Sequence, residues 1–112
     1  MDRLAKWLRA FAELRYRVLG LAVIRDIPTE RYNELPDWLR QRGWTLVSEY
    51  DGFDAWVDFG ELRFERDGTR IRLEWDNWTE GSIEGPRTVV KALGQALQME
   101  VETSWRWREY DR

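Results

Sequence analysis

Between residues 44 and 75 apolar and polar side chains alternate along the chain, and an Asp-Gly pair interrupts that alternation twice. A helix repeats about every 3.6 residues, so such a pattern keeps one apolar side only on a strand. Asp-Gly suits the left-handed backbone that a tight hairpin needs. WTLVSEY (44–50) is therefore read as a strand and Asp51-Gly52 as a hairpin turn. FDAWVDF (53–59) is read as the next strand, with Phe53, Ala55, Val57 and Phe59 on one face and Asp54, Trp56 and Asp58 on the other. ELRFER sets Leu62 and Phe64 against Arg63 and Glu65, and Asp67-Gly68 leads into TRIRLEW, with Ile71, Leu73 and Trp75 inward. The pattern predicts an antiparallel meander with one apolar and one charged face.

Helical spacing appears on either side of it. Leu4, Trp7, Phe11, Leu14, Val18 and Leu21 recur every three or four residues, and Leu8 widens the stripe. Asp2 suits a cap or first-turn acid. The helix is expected through about residue 15; over 16–25, Val18, Gly20, Val23 and Ile24 allow either helix or strand. The stripe is expected to pack on the domain's own sheet, with a homodimeric coiled coil as the alternative. Pro36 opens a short helix, PDWLRQR, stopped by Gly43, with Trp38 and Leu39 on its buried side. Ser82–Glu84 is read as a short strand, and Pro86 starts a helix with Val89, Val90, Leu93, Ala96 and Leu97 as its apolar stripe. The tail alternates again, Val101, Thr103, Trp105 and Trp107 against Glu102, Ser104, Arg106 and Arg108, as in a last strand. The expected fold is α+β, a single domain over 1–112. It is mainly an antiparallel β-meander of about four to six strands, with the N-terminal helix and a C-terminal-half helix packed on one face.

The chain lacks cysteine and histidine, which removes thiolate chemistry, the commonest general base and the commonest transition-metal ligands. Eight tryptophans give a small core large rings to bury. The net charge of −3 is uneven: residues 1–27 carry +3, whereas 44–86 carry −7. Such an acidic centre repels phosphate, so nucleic acid is disfavoured and a basic protein partner is favoured. The longest apolar run, VLGLAVI, lies between Arg17 and Arg25 and is too short for a bilayer span. A cytoplasmic protein with no membrane association is expected.

The candidate site residues are Asp54, Trp56, Asp58, Asp76, Asn77, Trp78 and Glu80. On an exposed charged face, Trp56 between Asp54 and Asp58 would resemble an interface anchor. The competing reading is a solvated face knitted by ion pairs, with Arg63 or Arg72 stacked on the ring. In a strand, Asp54 and Asp58 would stand roughly 13 Å apart, too far to share a proton or metal. Asp76, Asn77 and Glu80 lack the ligand spacing of a calcium loop, and EGSIEGP matches no phosphate-binding loop. The two lysines, Lys6 and Lys91, sit in predicted helices. No metal, cofactor or catalytic residue is assigned. Stacking of nucleic acid on WRWREYDR competes with a plain edge-strand reading, which the alternation favours. Asp76 and Asn77 are turn formers, whereas Trp78 belongs to no periodic set, so the rim around Trp78 and Glu80 is the place for a site. The composite expectation is a small acidic non-catalytic protein-binding domain, in one form an inhibitor or immunity-type protein masking a basic active site. The alternatives are a small-molecule or carbohydrate binder (hydrolytic in one form) with a Trp-lined pocket, and a homodimeric scaffold.

Overall fold

The computed structural model describes residues 2–103. Helix α1 (Asp2–Leu19) leads into strand β1 (Leu21–Ile27), then the short helices α2 (Thr29–Tyr32) and α3 (Leu35–Gln41). Four strands follow, β2 (Thr45–Glu49), β3 (Phe59–Arg66), β4 (Thr69–Asp76) and β5 (Glu80–Pro86), and then helix α4 (Arg87–Leu97). The strands form one sheet in the order β1-β5-β4-β3-β2, with each neighbouring pair antiparallel. The expected α+β class is the class observed.

Register places the apolar residues in rows across the sheet. Leu62, Leu73, Ile83 and Ile24 form one row, and Phe64 pairs with Ile71 in the next. All six are buried. From the helices, Tyr32, Leu35, Leu39, Val90, Leu93 and Leu97 close over this face. Each such aliphatic or aromatic side chain contributes about 1.5–3 kcal/mol by leaving water. Asp67 (φ 51°) and Gly68 (φ 78°) both adopt the left-handed backbone of a two-residue hairpin, as the Asp-Gly signal predicts.

Gly20 resolves the ambiguity over residues 16–25. Its φ of 61° ends α1, and its carbonyl accepts the Arg87 N–H at 2.8 Å, so the β-branched residues after it run as a strand. Pro36 stands in the first turn of α3, with Leu39 fully buried. The guanidinium of Arg42 stacks 3.8 Å over the Trp38 ring.

Two expectations are corrected, and a third falls mostly outside the described residues. Residues 53–58 are not a strand but part of a turn-rich loop, because β2 pairs directly with β3, Glu49 opposite Leu62. Asp51-Gly52 therefore opens a long connection and not a tight hairpin. Secondly, the apolar stripe of α1 is not packed on the sheet: Leu4, Trp7, Phe11 and Leu14 are all more than half exposed. The inward side of β1 is already covered, since Val90, Leu93 and Leu97 of α4 fill the core with Ala22 and Ile24. Thirdly, of the tail, Val101–Thr103 holds a single bridge, Glu102 to Val23 at the β1 edge. Trp105, Arg106, Trp107 and Arg108 lie outside the described residues.

Candidate functional site

At the end of the sheet where β1 finishes, two connections meet. The N–H of Asn77, in the β4–β5 turn, donates to the carbonyl oxygen of Asp58, in the β2–β3 loop, at 3.0 Å. This bond gathers all seven candidate residues onto one rim, although the loop is not the strand from which three of them were read.

The loop is self-supporting. The Gly52 carbonyl accepts the Ala55 N–H, and the Asp54 carbonyl accepts the N–H groups of both Val57 and Asp58. Asp54 and Asp58 are thus joined by one turn, not separated by a length of strand. The phenol of Tyr50 donates to Asp54 Oδ1, and that bond holds the phenol above its usual pKa range. Trp56 has φ 62°, a left-handed backbone that bulky residues adopt only when their surroundings compel it. The compelling contacts are visible: its N–H donates to the Phe59 carbonyl at 2.8 Å and its Nε1–H to Glu49 Oε2 at 3.0 Å. Its ring covers Gly60 and lies 6.2 Å from the Tyr32 ring. Trp56 is therefore a lid at the margin of the apolar face, not an isolated ring on the charged face.

The turn is built as firmly. Asp76 Oδ1 accepts the N–H groups of Trp78 and Thr79 at 2.8 and 2.7 Å, and Oδ2 accepts the Thr79 hydroxyl. Burial alone would raise the Asp76 pKa, but these hydrogen bonds outweigh it and hold the carboxyl below its usual range. Glu80 also stands in the left-handed region, at φ 62°. Its Oε1 accepts the N–H and hydroxyl of Thr29, both at 3.0 Å, tying the turn to the start of α2. The Thr29 hydroxyl oxygen in turn accepts the Trp75 Nε1–H at 2.9 Å. Asp76 and Glu80 are thus structural carboxylates whose lone pairs serve the turn.

The rim leaves three apolar side chains in water. Phe53 is fully exposed at 103%, Trp78 is 78% exposed and Val57 66%. Sequence periodicity assigned Phe53 and Val57 to the inward face and so missed them. A usable signal was the clustering of turn formers at Asp51, Gly52 and Asp54 around Phe53, which fits a loop as well as a strand end.

The charged face beside the rim is an ion-pair network. Arg72 lies 2.8 Å from Glu84, 2.9 Å from Glu74 and 3.9 Å from Glu61, while Arg63 pairs with Glu61 and Arg70 with Glu65. Neither Arg63 nor Arg72 stacks on Trp56 as the sequence allowed. A shallow cavity of about 220 Å³ opens on this face, lined chiefly by Arg25, Asp26, Glu74, Asp76 and Ser82. A second, of about 280 Å³, lies between α3 and α4 beside Arg31, Glu34, Trp38 and Gln98. Both fall below the usual range for small-molecule sites. Among the described residues no group of three or more carboxylates is arranged to hold a metal ion, and no helix is long and apolar enough to cross a membrane.

No protein-family model matches the chain, and no curated protein or solved structure does. The rim thus presents exposed apolar side chains on a hydrogen-bonded backbone, beside carboxylates.

Proposed function

We propose that this chain is a non-catalytic protein-binding domain whose rim engages a partner with a basic, partly apolar surface. The observation that carries the reading is the exposure of Phe53, Val57 and Trp78 on two connections locked together by the Asn77–Asp58 bond. A backbone braced before binding loses little entropy on association, and exposed aromatic side chains carried on it suit the anchors that interface hot spots use. The acidic residues Asp51, Asp54, Asp58 and Asp76 of the same connections supply the complementary field. An inhibitor or immunity-type protein, masking a basic active site, is the concrete form of this reading. The absence of cysteine suits a reducing compartment such as the cytoplasm. A small-molecule or carbohydrate site draws less support, because the cavities described among these residues, of about 220 to 280 Å³, are small and Trp38 is the one tryptophan in their linings.

The test is capture of partners from source cells on the immobilised protein, identification by mass spectrometry, and stopped-flow kinetics with the purified partner. The double variant Asp54→Lys with Asp58→Lys is expected to slow association at least about tenfold at low salt. Trp78→Ala is expected to speed dissociation without altering thermal stability. Unchanged rates in both variants would sink the proposal.

A further inference from the structure

Helix α1 presents a second, separate surface. Leu4, Trp7, Leu8, Phe11, Leu14 and Leu19 are each more than 40% exposed, and the Trp7 and Phe11 rings stack on one another at 5.7 Å. At about 100° per residue these positions share one side of the helix, so the exposure is a continuous stripe and not scattered residues. Isolated exposed apolar residues call for no explanation; a contiguous stripe on a helix does.

The charge around the stripe indicates its occupant. Residues 2–19 contain five basic and two acidic residues, whereas the whole chain carries −3. Arg3 and Lys6 are exposed on the same turns as Leu4, Trp7 and Leu8. By helical periodicity position 3 flanks the stripe, whereas position 6 falls opposite it with the acidic positions 2 and 13. A second copy of α1 laid on the stripe would meet the basic position 3 at its margin with no carboxylate position beside the stripe, whereas coiled coils flank their seam with opposite charges. An anionic surface meets both demands, accepting the apolar side chains and pairing with the cations. Helices with a basic polar side and Trp, Phe and Leu on the other lie in the plane of a lipid interface.

We infer that α1 is a peripheral membrane anchor, lying in the headgroup region of anionic bilayers. This departs from the sequence expectation of no membrane association, which rested on the lack of a spanning segment. An interfacial helix needs no spanning length. Placement in the sheet suits the role. α1 enters at the Leu21 end of β1, opposite Pro86, while the acidic rim lies at the other end, where Ile27 faces Gly81 and Asp76 faces Glu80. The anchor thus joins the sheet at the end of the strands opposite the rim.

The test is co-sedimentation of the full chain with vesicles of phosphatidylcholine alone, and with phosphatidylglycerol added. Binding is expected only to the anionic vesicles, weakening as salt rises. Leu4→Ser with Phe11→Ser should abolish it, and Arg3→Glu with Lys6→Glu should lower it at least about tenfold. Near-UV circular dichroism checks that both variants keep their fold. Failure of the parent protein to bind anionic vesicles overturns the proposal, as does equal binding to neutral ones. A lipid-independent dimer in sedimentation velocity, lost in the Leu4/Phe11 variant without vesicle binding in the parent, assigns the stripe to a second copy and also overturns it. Each outcome is independent of the rim's partner.

Discussion

The indole of Trp56 occupies the space a side chain on Gly60 would need: a Cβ there would fall 2.1 Å from the ring carbon Cζ3. The ring cannot retreat cheaply, being fixed by its hydrogen bond to Glu49 and by the left-handed backbone at Trp56. Gly60→Ala is therefore expected to lower stability by about 1–3 kcal/mol through overpacking. In a Trp56→Ala background most of that penalty should vanish, because the clash has been removed. Denaturant titrations of the four proteins in this cycle measure the coupling; equal penalties in both backgrounds would refute it.

Arg72 is the hub of the charged face, shared by Glu61, Glu74 and Glu84, with its own side chain two-thirds covered. Arg72→Leu leaves these carboxylates facing one another. Partial exposure tempers the effect, so a loss of about 1–3 kcal/mol at neutral pH is expected, between surface and buried pairs. The loss should shrink as pH falls and the carboxylates protonate. A loss of equal size at pH 4 and pH 7 would mean that the arginine acts through its alkyl stem and not its charge.

Glu74 behaves oppositely to an ordinary paired acid. Burial raises its pKa above the ordinary 4.5, and although Arg72 pulls it down, Glu61, Glu84 and Asp76 push it further up. The folded state thus holds the Glu74 proton more tightly than the unfolded state. Stability contributed by the protonated form is present below 4.5 and lost as pH rises through the raised folded value. Glu74→Gln is expected to be more stable than the parent at pH 7, with the advantage fading below the ordinary carboxylate range. Thermal melts from pH 4 to pH 8 read this directly, and a variant less stable throughout would contradict it.

Much of the fold was legible where local rules agreed. Asp67-Gly68 lay between two runs of matched alternation, and the structure has the hairpin there. Residues 53–59 misled because alternation records only the order of residue types. It does not say whether a neighbouring strand is free to pair, and β3 is already taken by β2 and β4. The site was half visible. Trp78 stood out because it broke the pattern, whereas Phe53 and Val57 were hidden because they obeyed it. Trp56 was singled out for the wrong surroundings: the lid over Gly60 depends on a left-handed backbone that no residue type at that position announces. The α1 stripe was clear as periodicity, but its exposure depends on α4 having filled the inward side of β1, which is a property of the assembled sheet.

The pairing of β1 with β5 bears on how the chain is made. Every other strand in the sheet lies beside one adjacent to it in sequence, but β1 lies beside β5, the last strand among the described residues. On the ribosome β1 emerges before β2–β5, so its pairing with β5 waits until the whole meander has followed. The apolar stripe of α1 is made earlier still. Strand β1, made before the meander, thus waits for β5 to complete the sheet that buries it.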